Sequence, residues 1–563
     1  MTSRFIAIAL AASALTACAT VPQQAAAPAD TSVQILALND FHGNLEPYGS
    51  EVRYQDDTGT EQRGTLGGAA QMVATLERLR QGHDRTITVA AGDLVGASPL
   101  ASSYFLDEPA IAALGQMGLE IASVGNHEFD RGTDELRRLQ EGGCDRHGVR
   151  EPCALEPFAG AGFTYLAGNV VDDAGTTLFP ATKIRDFGAL KIGFIGMTLK
   201  ETGKLVSPAG TRGYSFLDEA ETANRLAQTL RQQGADEVVV LIHQGAQTVP
   251  EFNVAGCPGM TGDILPILDR LDPEIRLVVS GHTHKAYACH LPTATGGDRV
   301  LTSAGRYGGF VTDIEAGVDP ATRRFSQILA RNVPVAQDAA DPETAALVKR
   351  YVDASLPVAQ RKVGTISGNA SPDESDCIDN WREDLVADAQ LAATRPADKG
   401  AADVAFMNSG GVRTALEPAE DGSVTFGQIF TMQPFGNSLV VLEMTGKDLL
   451  DLLESQLCGE GDALDFCFSS LTPSANMTYS IGRTRPAGQR IVGLTLDGRP
   501  IAPTQTYRVT TNNFLASGGD GFTAFTRGTP VGDGGIDVEA LEAWLGTGKV
   551  TVPTCGRVRF TGL

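Results

Sequence analysis

The chain has 563 residues, too many for one hydrophobic core, because single cores stop growing near about 250 to 300 residues. Its residues are 42% hydrophobic and 20% charged, which excludes a largely disordered chain. With 68 acidic and 45 basic residues, the net charge of −23 argues against a nucleic-acid polymer or an anionic membrane surface as the main partner. A small anionic substrate stays open if metal ions supply local positive charge.

The N-terminus reads as an export signal. Arg4 and the apolar run after it predict a signal peptide over residues 1–17, since the run is shorter than the about 20 residues of a transmembrane helix. The run ends in LTAC at Cys18, which resembles the lipobox of bacterial lipoproteins, whose cysteine is lipidated; an ordinary cleaved signal is the alternative. Residues 18–32, rich in Ala, Pro and Gln, would then form an unfolded, lipidated tether. We expect a periplasmic protein that touches a membrane only through this anchor, and Ala19, in place of a retention Asp, favours the outer membrane.

The cysteine count agrees with export. Removing Cys18 from the nine cysteines leaves eight, an even number suited to disulfides in an oxidising compartment. None of them has CxxC spacing, which disfavours a thiolate zinc site. Sequence proximity suggests the pairs Cys144 with Cys153, Cys257 with Cys289, Cys458 with Cys467, and Cys377 with Cys555.

The chain after the tether predicts two α/β domains joined by a helix. Short β-branched runs, apolar on both faces, indicate buried strands of a layered α/β domain over residues 33–337. Asp341 followed by Pro342 is typical of a helix start and places a linking helix within residues 338–362. Residues 363–563 are predicted to form a second α/β domain. The runs are VQILAL from Val33, TITVAA from Thr86, IASV from Ile121, KIGFIG from Lys191, EVVVLI from Glu237 and IRLVVS from Ile275.

Five of these runs end in Asp, Asn or His. Ligands of open α/β sheets bind beyond the carboxyl ends of the strands, so we expect the five ends to converge. The candidate metal ligands are too many for one tetrahedral zinc and suit two metals that share a carboxylate. Oxygen and nitrogen ligands without sulfur are compatible with zinc, manganese, iron or cobalt. The ligands are Asp40, His42, Asp93, Asn126, His243, His282 and His284.

The order DxH, GD, GNHE, His and GHxH resembles the binuclear metallophosphoesterase signature. The resemblance implies a four-layered β-sandwich flanked by helices and two divalent metal ions, with zinc or manganese favoured. It assigns His127 and Asp130 as a catalytic dyad, in which Asp130 orients the imidazole and raises its pKa. It also distributes the ligands: Asp40, His42 and His284 on one metal, Asn126, His243 and His282 on the other, and Asp93 as the bridge.

Three stretches of the C-terminal half resemble the 5'-nucleotidase and UDP-sugar hydrolase family: MNSGGVR from Met407, QPFGNSL from Gln433 and NNFLASGGDGF from Asn512. By this resemblance Phe435 and Phe514 sandwich the base, a contact that barely discriminates among bases. Asp520 then binds ribose, Arg413 pairs with phosphate, and close contacts come from Asn408, Gly411 and Asn437. The segment from Asp379 to Leu385 departs from the family pattern, and Arg382 is the candidate replacement for a phosphate-binding arginine.

These resemblances imply an exported, metal-dependent 5'-nucleotidase that hydrolyses nucleoside 5'-phosphates, with UDP-sugar hydrolysis as a companion activity. The alternative is a 2',3'-cyclic-nucleotide 2'-phosphodiesterase with 3'-nucleotidase activity. A thiosulfohydrolase is disfavoured by the two stacking phenylalanines, and a binding protein without turnover is disfavoured by the dyad. The native metal, the preferred base and the oligomeric state are left open.

Overall fold

The computed structural model describes residues 32–561, except for residues 49–50, 56–59, 149, 189, 207–209, 249–256, 258, 369–379, 468, 549 and 555. The predicted signal peptide, the lipobox Cys18 and nearly all of the tether lie outside the described residues, as do Asp379 and the predicted pair Cys377 with Cys555. Across the described residues, no helix combines the length and the apolar character that crossing a bilayer requires.

The N-terminal domain alternates strands and helices. Its described strands are β1 (Ser32–Leu38), β2 (Val52–Gln55), β3 (Glu61–Gly64), β4 (Thr86–Ala91), β5 (Leu119–Ser123), β6 (Thr164–Leu166), β7 (Val170–Asp172), β8 (Thr182–Asp186), β9 (Lys191–Thr198), β10 (Tyr214–Phe216), β11 (Glu237–His243), β12 (Leu277–Ser280), β13 (Ala286–Pro292), β14 (Asp298–Ala304), β15 (Phe310–Asp319) and β16 (Arg324–Pro334). Its described helices are α1 (Ala69–Arg80), α2 (Leu100–Ser103), α3 (Glu108–Gln116), α4 (Thr133–Glu141), α5 (Thr202–Leu205), α6 (Glu219–Gln232) and α7 (Ile264–Arg270).

Two six-stranded sheets form a sandwich, with strand orders β16-β15-β1-β4-β5-β6 and β13-β14-β12-β11-β9-β8. Val33, Ile35 and Ala37 of β1 share a core with residues of the second sheet, while Leu36 and Leu38 pack on the other face among the helices. Both faces of the strand are therefore buried, which explains the apolar run in the sequence. The order helices, sheet, sheet, helices confirms the predicted four-layered β-sandwich flanked by helices.

Parallel pairing brings the strand ends to one edge. In the first sheet β1, β4 and β5 run parallel, and in the second sheet β9, β11 and β12 run parallel. The carboxyl ends of parallel neighbours lie at the same edge of a sheet, so the polar segments that follow them face a common crevice. All six predicted strands are present within a few residues of their expected bounds.

The linking helix begins where the sequence predicts. Helix α8 (Pro342–Ala359) has Asp341 as its N-cap, and the Asp341 carboxylate accepts a hydrogen bond of 2.7 Å from the Thr344 amide. Leu347 and Tyr351 of α8 are buried in the core that the first sheet shares with the N-terminal helices. The predicted domain boundaries on either side of this helix stay a prediction.

The C-terminal half is also mixed α/β. Its described strands are β17 (Lys362–Ser367), β18 (Val404–Asn408), β19 (Ser423–Thr425), β20 (Ser438–Thr445), β21 (Leu457–Cys458), β22 (Asp465–Phe466), β23 (Leu471–Pro473), β24 (Met477–Gly482), β25 (Ile491–Leu496), β26 (Arg499–Pro500), β27 (Thr506–Asn512), β28 (Thr529–Ile536), β29 (Val550–Thr551) and β30 (Val558–Thr561). Its described helices are α9 (Trp381–Thr394), α10 (Phe426–Met432), α11 (Gly446–Ser455), α12 (Asn513–Ala516) and α13 (Asp537–Gly546).

A five-stranded sheet of order β23-β18-β27-β20-β28 carries the quoted motifs of this half. Two apolar cores flank it, one with α11 and the β24–β25 region and one with α9, α10 and α13. The loop after β18, the loop after α10 and helix α12 hold MNSGGVR, QPFGNSL and NNFLASGGDGF respectively. The motifs are therefore placed on loops and element ends supported by a rigid sheet.

Three of the four predicted disulfides are confirmed. The structure pairs Cys144 with Cys153, Cys257 with Cys289 and Cys458 with Cys467. Bonded cysteines are typical of proteins that fold in an oxidising compartment.

Candidate active site

Polar residues from five strand ends meet at the crevice edge of the sandwich. Asp40 and His42 follow β1, Asp93 follows β4, and Asn126 follows β5. His243 is the last residue of β11, and His282 and His284 follow β12. The predicted convergence of the five clusters is therefore observed.

The backbone at these positions is strained. Asp40, His42, Asp93, His282 and His284 all have positive φ, between 48° and 73°. Residues other than glycine rarely adopt this backbone region, and they keep such a conformation only where the surrounding structure holds it. Strain concentrated on five neighbouring polar residues marks a functional site.

The glycines of the motifs allow the loops to approach each other. A Cβ on Gly125 would lie 2.2 Å from Asp93 Oδ1, and a Cβ on Gly92 would lie 2.7 Å from the Gly125 amide nitrogen. Any side chain at either position would push the two loops apart. These glycines are therefore required by packing at the site.

One ligand group consists of Asp40, His42 and His284. Asp40 Oδ1 lies 3.3 Å from His284 Nε2, and the Nε2 atoms of His42 and His284 are also 3.3 Å apart. Two atoms bound to one ion at about 2.0 to 2.2 Å each are roughly 3 to 3.5 Å from one another. The spacing therefore fits a single cation shared by the three side chains.

The second ligand group consists of Asp93, His243 and His282. Asp93 Oδ2 lies 2.9 Å from His243 Nε2 and 3.6 Å from His42 Nε2, so this one oxygen is close to both groups. Asn126 Oδ1 lies 3.2 Å from His282 Nδ1, which places the amide beside the second group. Two neighbouring groups with a carboxylate oxygen between them form a binuclear site for divalent metals.

The tautomers of two histidines support metal binding. His42 Nδ1 and His243 Nδ1 each lie 2.8 Å from a backbone carbonyl, of Gly96 and Ala91 respectively, and so carry the ring proton. The Nε2 lone pairs of both rings then face the ligand groups. With its proton on Nδ1, the buried His243 Nε2 is an acceptor that faces another acceptor, Asp93 Oδ2, at 2.9 Å, and so lacks a donor. A cation would satisfy it, and a carbonyl that orients the ring is the usual support of a metal-bound histidine.

The electrostatics of the site demand positive charge. Burial lowers the pKa of His42 and of His282 to about 3, which leaves both rings neutral and able to bind metal. Burial also opposes protonation of His243, but the carboxylates of Asp93 and Asp40 outweigh it and raise its pKa to about 10. Without a cation, these buried carboxylates would draw a proton onto a ring that is shaped to bind metal.

His127 and Asp130 form a hydrogen-bonded pair beside the ligand groups. His127 Nδ1 lies 2.9 Å from Asp130 Oδ2, and the His127 ring centroid lies 5.0 Å from that of His42. Burial disfavours the charged imidazole, but the carboxylates of Asp130 and Asp93 outweigh it and raise the pKa of His127. A protonated ring held in this way can donate a proton to a leaving oxygen.

Glu128 connects two ligand loops. Its buried carboxylate accepts hydrogen bonds from the backbone amides of Asp93, Leu94 and Gly125, at 3.0, 2.8 and 2.7 Å. The first two amides belong to the loop after β4 and the third belongs to the loop after β5. The carboxylate therefore fixes the distance between Asp93 and Asn126.

The second domain contributes the opposite wall. A cavity of about 190 Å³ lies between the domains and is lined on the first by Asn126, His127, Asp130 and His282. The predicted substrate residues of the second domain all line it: Asn408, Gly411, Arg413, Phe435, Asn437, Phe514 and Asp520.

Contacts within this wall order its polar residues. Asn408 Nδ2 donates a hydrogen bond of 2.7 Å to Asp520 Oδ2. The backbone carbonyl of Asn437 accepts a hydrogen bond of 2.9 Å from the backbone amide of Asp537. The Phe435 ring stacks on His127, with centroids 5.7 Å apart and an interplanar angle of 18°, and the Arg413 guanidinium lies 5.8 Å from the same ring. Phe435 is thus in direct contact with the dyad.

Arg382 is not brought to this cavity. It lies at the start of α9, where its Nε donates to Asn380 Oδ1 at 3.0 Å, and it is not among the described residues that line the cavity. Leu205 and Val206, at the end of the short helix α5, also line it and were not expected, because two apolar residues carry no distinguishing signal in a sequence. Asn512 also lines the cavity and stands inside a motif quoted above, where it could have been included.

Comparison with known proteins agrees with the site. Residues 33–286 match the family model of calcineurin-like phosphoesterases, and residues 362–527 match that of the 5'-nucleotidase C-terminal domain. The chain belongs to the 5'-nucleotidase family.

Relatives of this family member include Endonuclease YhcR of Bacillus subtilis, 28% identical over 504 residues, with 88% of this chain and 38% of that protein covered. Cell wall protein Lmo0130 of Listeria monocytogenes is 30% identical over 543 residues, with 89% of this chain and 65% of that protein covered. The chain therefore spans less than two thirds of the length of both relatives. A crystal structure of a 5'-nucleotidase precursor from Thermus thermophilus shares the fold, with a TM-score of 0.72, 23% identity, and 94% of this chain and all of that chain covered.

Proposed function

We propose that the protein is a metal-dependent 5'-nucleotidase that hydrolyses nucleoside 5'-phosphates to nucleoside and phosphate. The observation that carries the proposal is the shared cavity, which joins the dyad and two candidate metal ligands to the aromatic and polar residues of the second domain. One nucleotide could place its phosphate at the metal groups and its base between the two phenylalanine rings.

We assign the metal ligands as the sequence predicts. Asp40, His42 and His284 hold one divalent ion, and Asn126, His243 and His282 hold the other, with Asp93 between them. Two such ions, zinc or manganese, would offset the charge of the phosphate and lower the pKa of the attacking water when bound. This local positive charge reconciles an acidic protein with an anionic substrate.

The side chains of the cavity orient the substrate. His127 donates a proton to the oxygen that leaves phosphorus, and Asp130 fixes the tautomer through Nδ1, so that Nε2 faces the substrate. Arg413 pairs with the phosphate, Asp520 accepts hydrogen bonds from the ribose, and Phe435 and Phe514 sandwich the base. Asn408 holds Asp520 in place through the 2.7 Å hydrogen bond.

Two related activities share this machinery. Hydrolysis of UDP-sugars uses the same metals, dyad and base clamp on a phosphoric anhydride. Cleavage of 2',3'-cyclic nucleotides places the phosphate on the other side of the ribose. Both substrates contain a base that could stack between Phe435 and Phe514, and stacking barely discriminates among bases, so these two rings exclude neither substrate.

A parallel assay separates these activities. Protein beginning at Ser32 is dialysed against a chelator and restored with manganese or zinc, and phosphate release is measured on AMP, UDP-glucose and 2',3'-cyclic AMP, with a phosphatase added for the last two substrates. Metal-dependent turnover of AMP is expected. Turnover of the cyclic substrate alone would move the protein to the phosphodiesterase alternative, and nucleotide binding without any turnover would indicate a binding protein.

We also propose export and anchoring through Cys18. The apolar N-terminus, the LTAC sequence and the three disulfides support an extracytoplasmic location. In a bacterial host, Cys18→Ser should abolish incorporation of labelled palmitate and release the protein from the outer-membrane fraction. Unchanged labelling would contradict the anchor, and retention of both variants in the cytoplasm would contradict export.

A further inference from the structure

A second cavity lies behind the wall of the first. It has a volume of about 230 Å³ and shares Asp130 and Phe435 with the cavity described above. Its own lining includes Arg131, Arg150 and the exposed His147 of the first domain. This volume is several times the ~30 Å³ share of one water molecule, so the space accommodates a group of several heavy atoms.

Arg150 is the unusual member of this lining. Its guanidinium lies 5.2 Å from the Phe430 ring of α10 and 5.7 Å from the Tyr104 ring, and it donates a hydrogen bond to the Ser103 carbonyl. It forms no ion pair with a carboxylate among the described residues. Burial and the nearby Arg131 lower its pKa to about 10, so it is still a cation at neutral pH.

The other charges of the cavity are already paired. Arg131 binds Asp107, Glu135 binds Arg138 at 2.7 Å, and Asp130 binds His127. Arg150 is therefore the one cation of the described lining that has no carboxylate partner of its own. A partly buried cation without a counter-charge is costly, and an anion bound beside it would remove that cost.

The two ends of the loop that carries Arg150 are fixed in place. The disulfide between Cys144 and Cys153 closes it, and the Cys153 amide donates a 2.9 Å hydrogen bond to Glu108. Arg138 bonds to both Glu108 and the Gly143 carbonyl, at 2.8 and 3.0 Å. The guanidinium is thus presented to the cavity by a braced loop, which a preformed binding site requires.

We propose that this cavity is a second binding site for a phosphate group, with Arg150 as its main ligand, beside the dyad and on the far side of Phe435. The inference rests on the proposed nucleotidase function. The phosphate belongs either to a substrate with more than one phosphate, whose distal group passes Asp130, or to free inorganic phosphate. A guanidinium suits either source because it binds phosphate with two parallel hydrogen bonds.

The test compares wild type with Arg150→Met, Arg150→Lys and a matched control, Arg146→Met. Arg146 lies on the same loop but is exposed and pairs with Glu151. Values of kcat and KM are measured for AMP and ADP, together with inhibition of AMP turnover by inorganic phosphate. Thermal melting verifies that each variant is folded, and Arg150→Lys retains the charge without the fork.

Two results support the site. If it receives a distal phosphate, Arg150→Met raises KM for ADP by at least about tenfold, the lower bound for losing a charge-assisted hydrogen bond, and leaves KM for AMP within twofold. If it receives free phosphate, both KM values stay unchanged and the non-competitive part of phosphate inhibition disappears. Arg150→Lys should fall between wild type and Arg150→Met, and Arg146→Met should match wild type.

Equal changes for AMP and ADP would overturn the proposal, because they would make Arg150 only a contact between the domains. No change in any measurement would overturn it as well. If wild type hydrolyses neither nucleotide, the proposed function fails and the site is tested separately by calorimetric titration of manganese-loaded protein with ADP and AMP. Loss of ADP affinity in Arg150→Met, with AMP affinity retained, then supports the site, and equal affinities overturn it.

Discussion

Glu128 offers the sharpest test of how the ligand loops are held. Its carboxylate accepts three backbone hydrogen bonds from the loops that carry Asp93 and Asn126, and the residue is only 3% exposed. Each buried amide left without an acceptor costs about 1 to 3 kcal/mol, so Glu128→Ala should destabilise the domain by at least about 3 kcal/mol. Such a loss is a large fraction of the about 5 to 15 kcal/mol that stabilises a domain.

Glu128→Gln is the milder perturbation, because it keeps one acceptor oxygen and the shape of the side chain. We expect it to fold and to lose metal affinity by about 10- to 100-fold, the usual effect of removing a group that orients metal ligands. The assay is restoration of AMP turnover by manganese after chelation, with urea unfolding for stability. Glu120→Gln is the control, since Glu120 on β5 forms a solvent-exposed ion pair with Arg185. Wild-type manganese affinity in Glu128→Gln would refute the reasoning.

Three further changes test the dyad, the clamp and a buried acid. His127→Ala should lower kcat for AMP by about 10²- to 10⁴-fold with little change in KM, and an unchanged kcat would remove its catalytic role. Phe514→Ala should raise KM for AMP and for CMP alike, by roughly 5- to 150-fold, since one stacked base is worth about 1 to 3 kcal/mol. An effect on one base alone would contradict stacking. Burial raises the pKa of Asp537 from 3.8 to about 7, so the native state binds its proton more tightly than the unfolded state does. Wild type should therefore lose stability relative to Asp537→Asn as pH rises from about 4 to 7, by up to about 4 kcal/mol in urea unfolding, and parallel profiles would contradict this.

The metal groups could be predicted because their signal is local and repeated. Each ligand follows a recognisable buried strand, and parallel pairing gathers the ends of β1, β4, β5, β11 and β12 at neighbouring edges of two sheets. The sequence therefore contains both the ligand and the rule that positions it. The left-handed backbone at Asp40 and His282 is not visible in the same way, because neither residue is a glycine.

The rest depended on how distant loops meet. Leu205 and Val206 line the first cavity only because α5, the short helix after β9, reaches the second domain. Arg150 contacts Phe430 across the domain interface, 280 positions further along the chain, and no local pattern announces that contact. Arg382 is the opposite case, because its motif position suggested a phosphate contact, whereas its side chain bonds to Asn380 and does not line the described cavity.

From the position of Phe435 we expect the two halves of the site to move when a nucleotide binds as proposed. Its ring now stacks on His127 at 5.7 Å, the region that the substrate phosphate and its leaving oxygen must reach. A base held between Phe435 and Phe514 therefore requires the ring to withdraw from the dyad, and α8 is the natural hinge because it packs against both domains.

Spin labels at exposed positions on each domain, Arg225→Cys and Arg499→Cys, measure this movement as a distance distribution. With manganese present, we expect the distribution to shift when AMP is added to labelled protein that also carries His127→Ala. An unchanged distribution, with wild-type turnover in the labelled protein that retains His127, would contradict domain rotation. It would confine the movement to the short loop between Met432 and Ser438, whose glycine at 436 already has a φ of 64°.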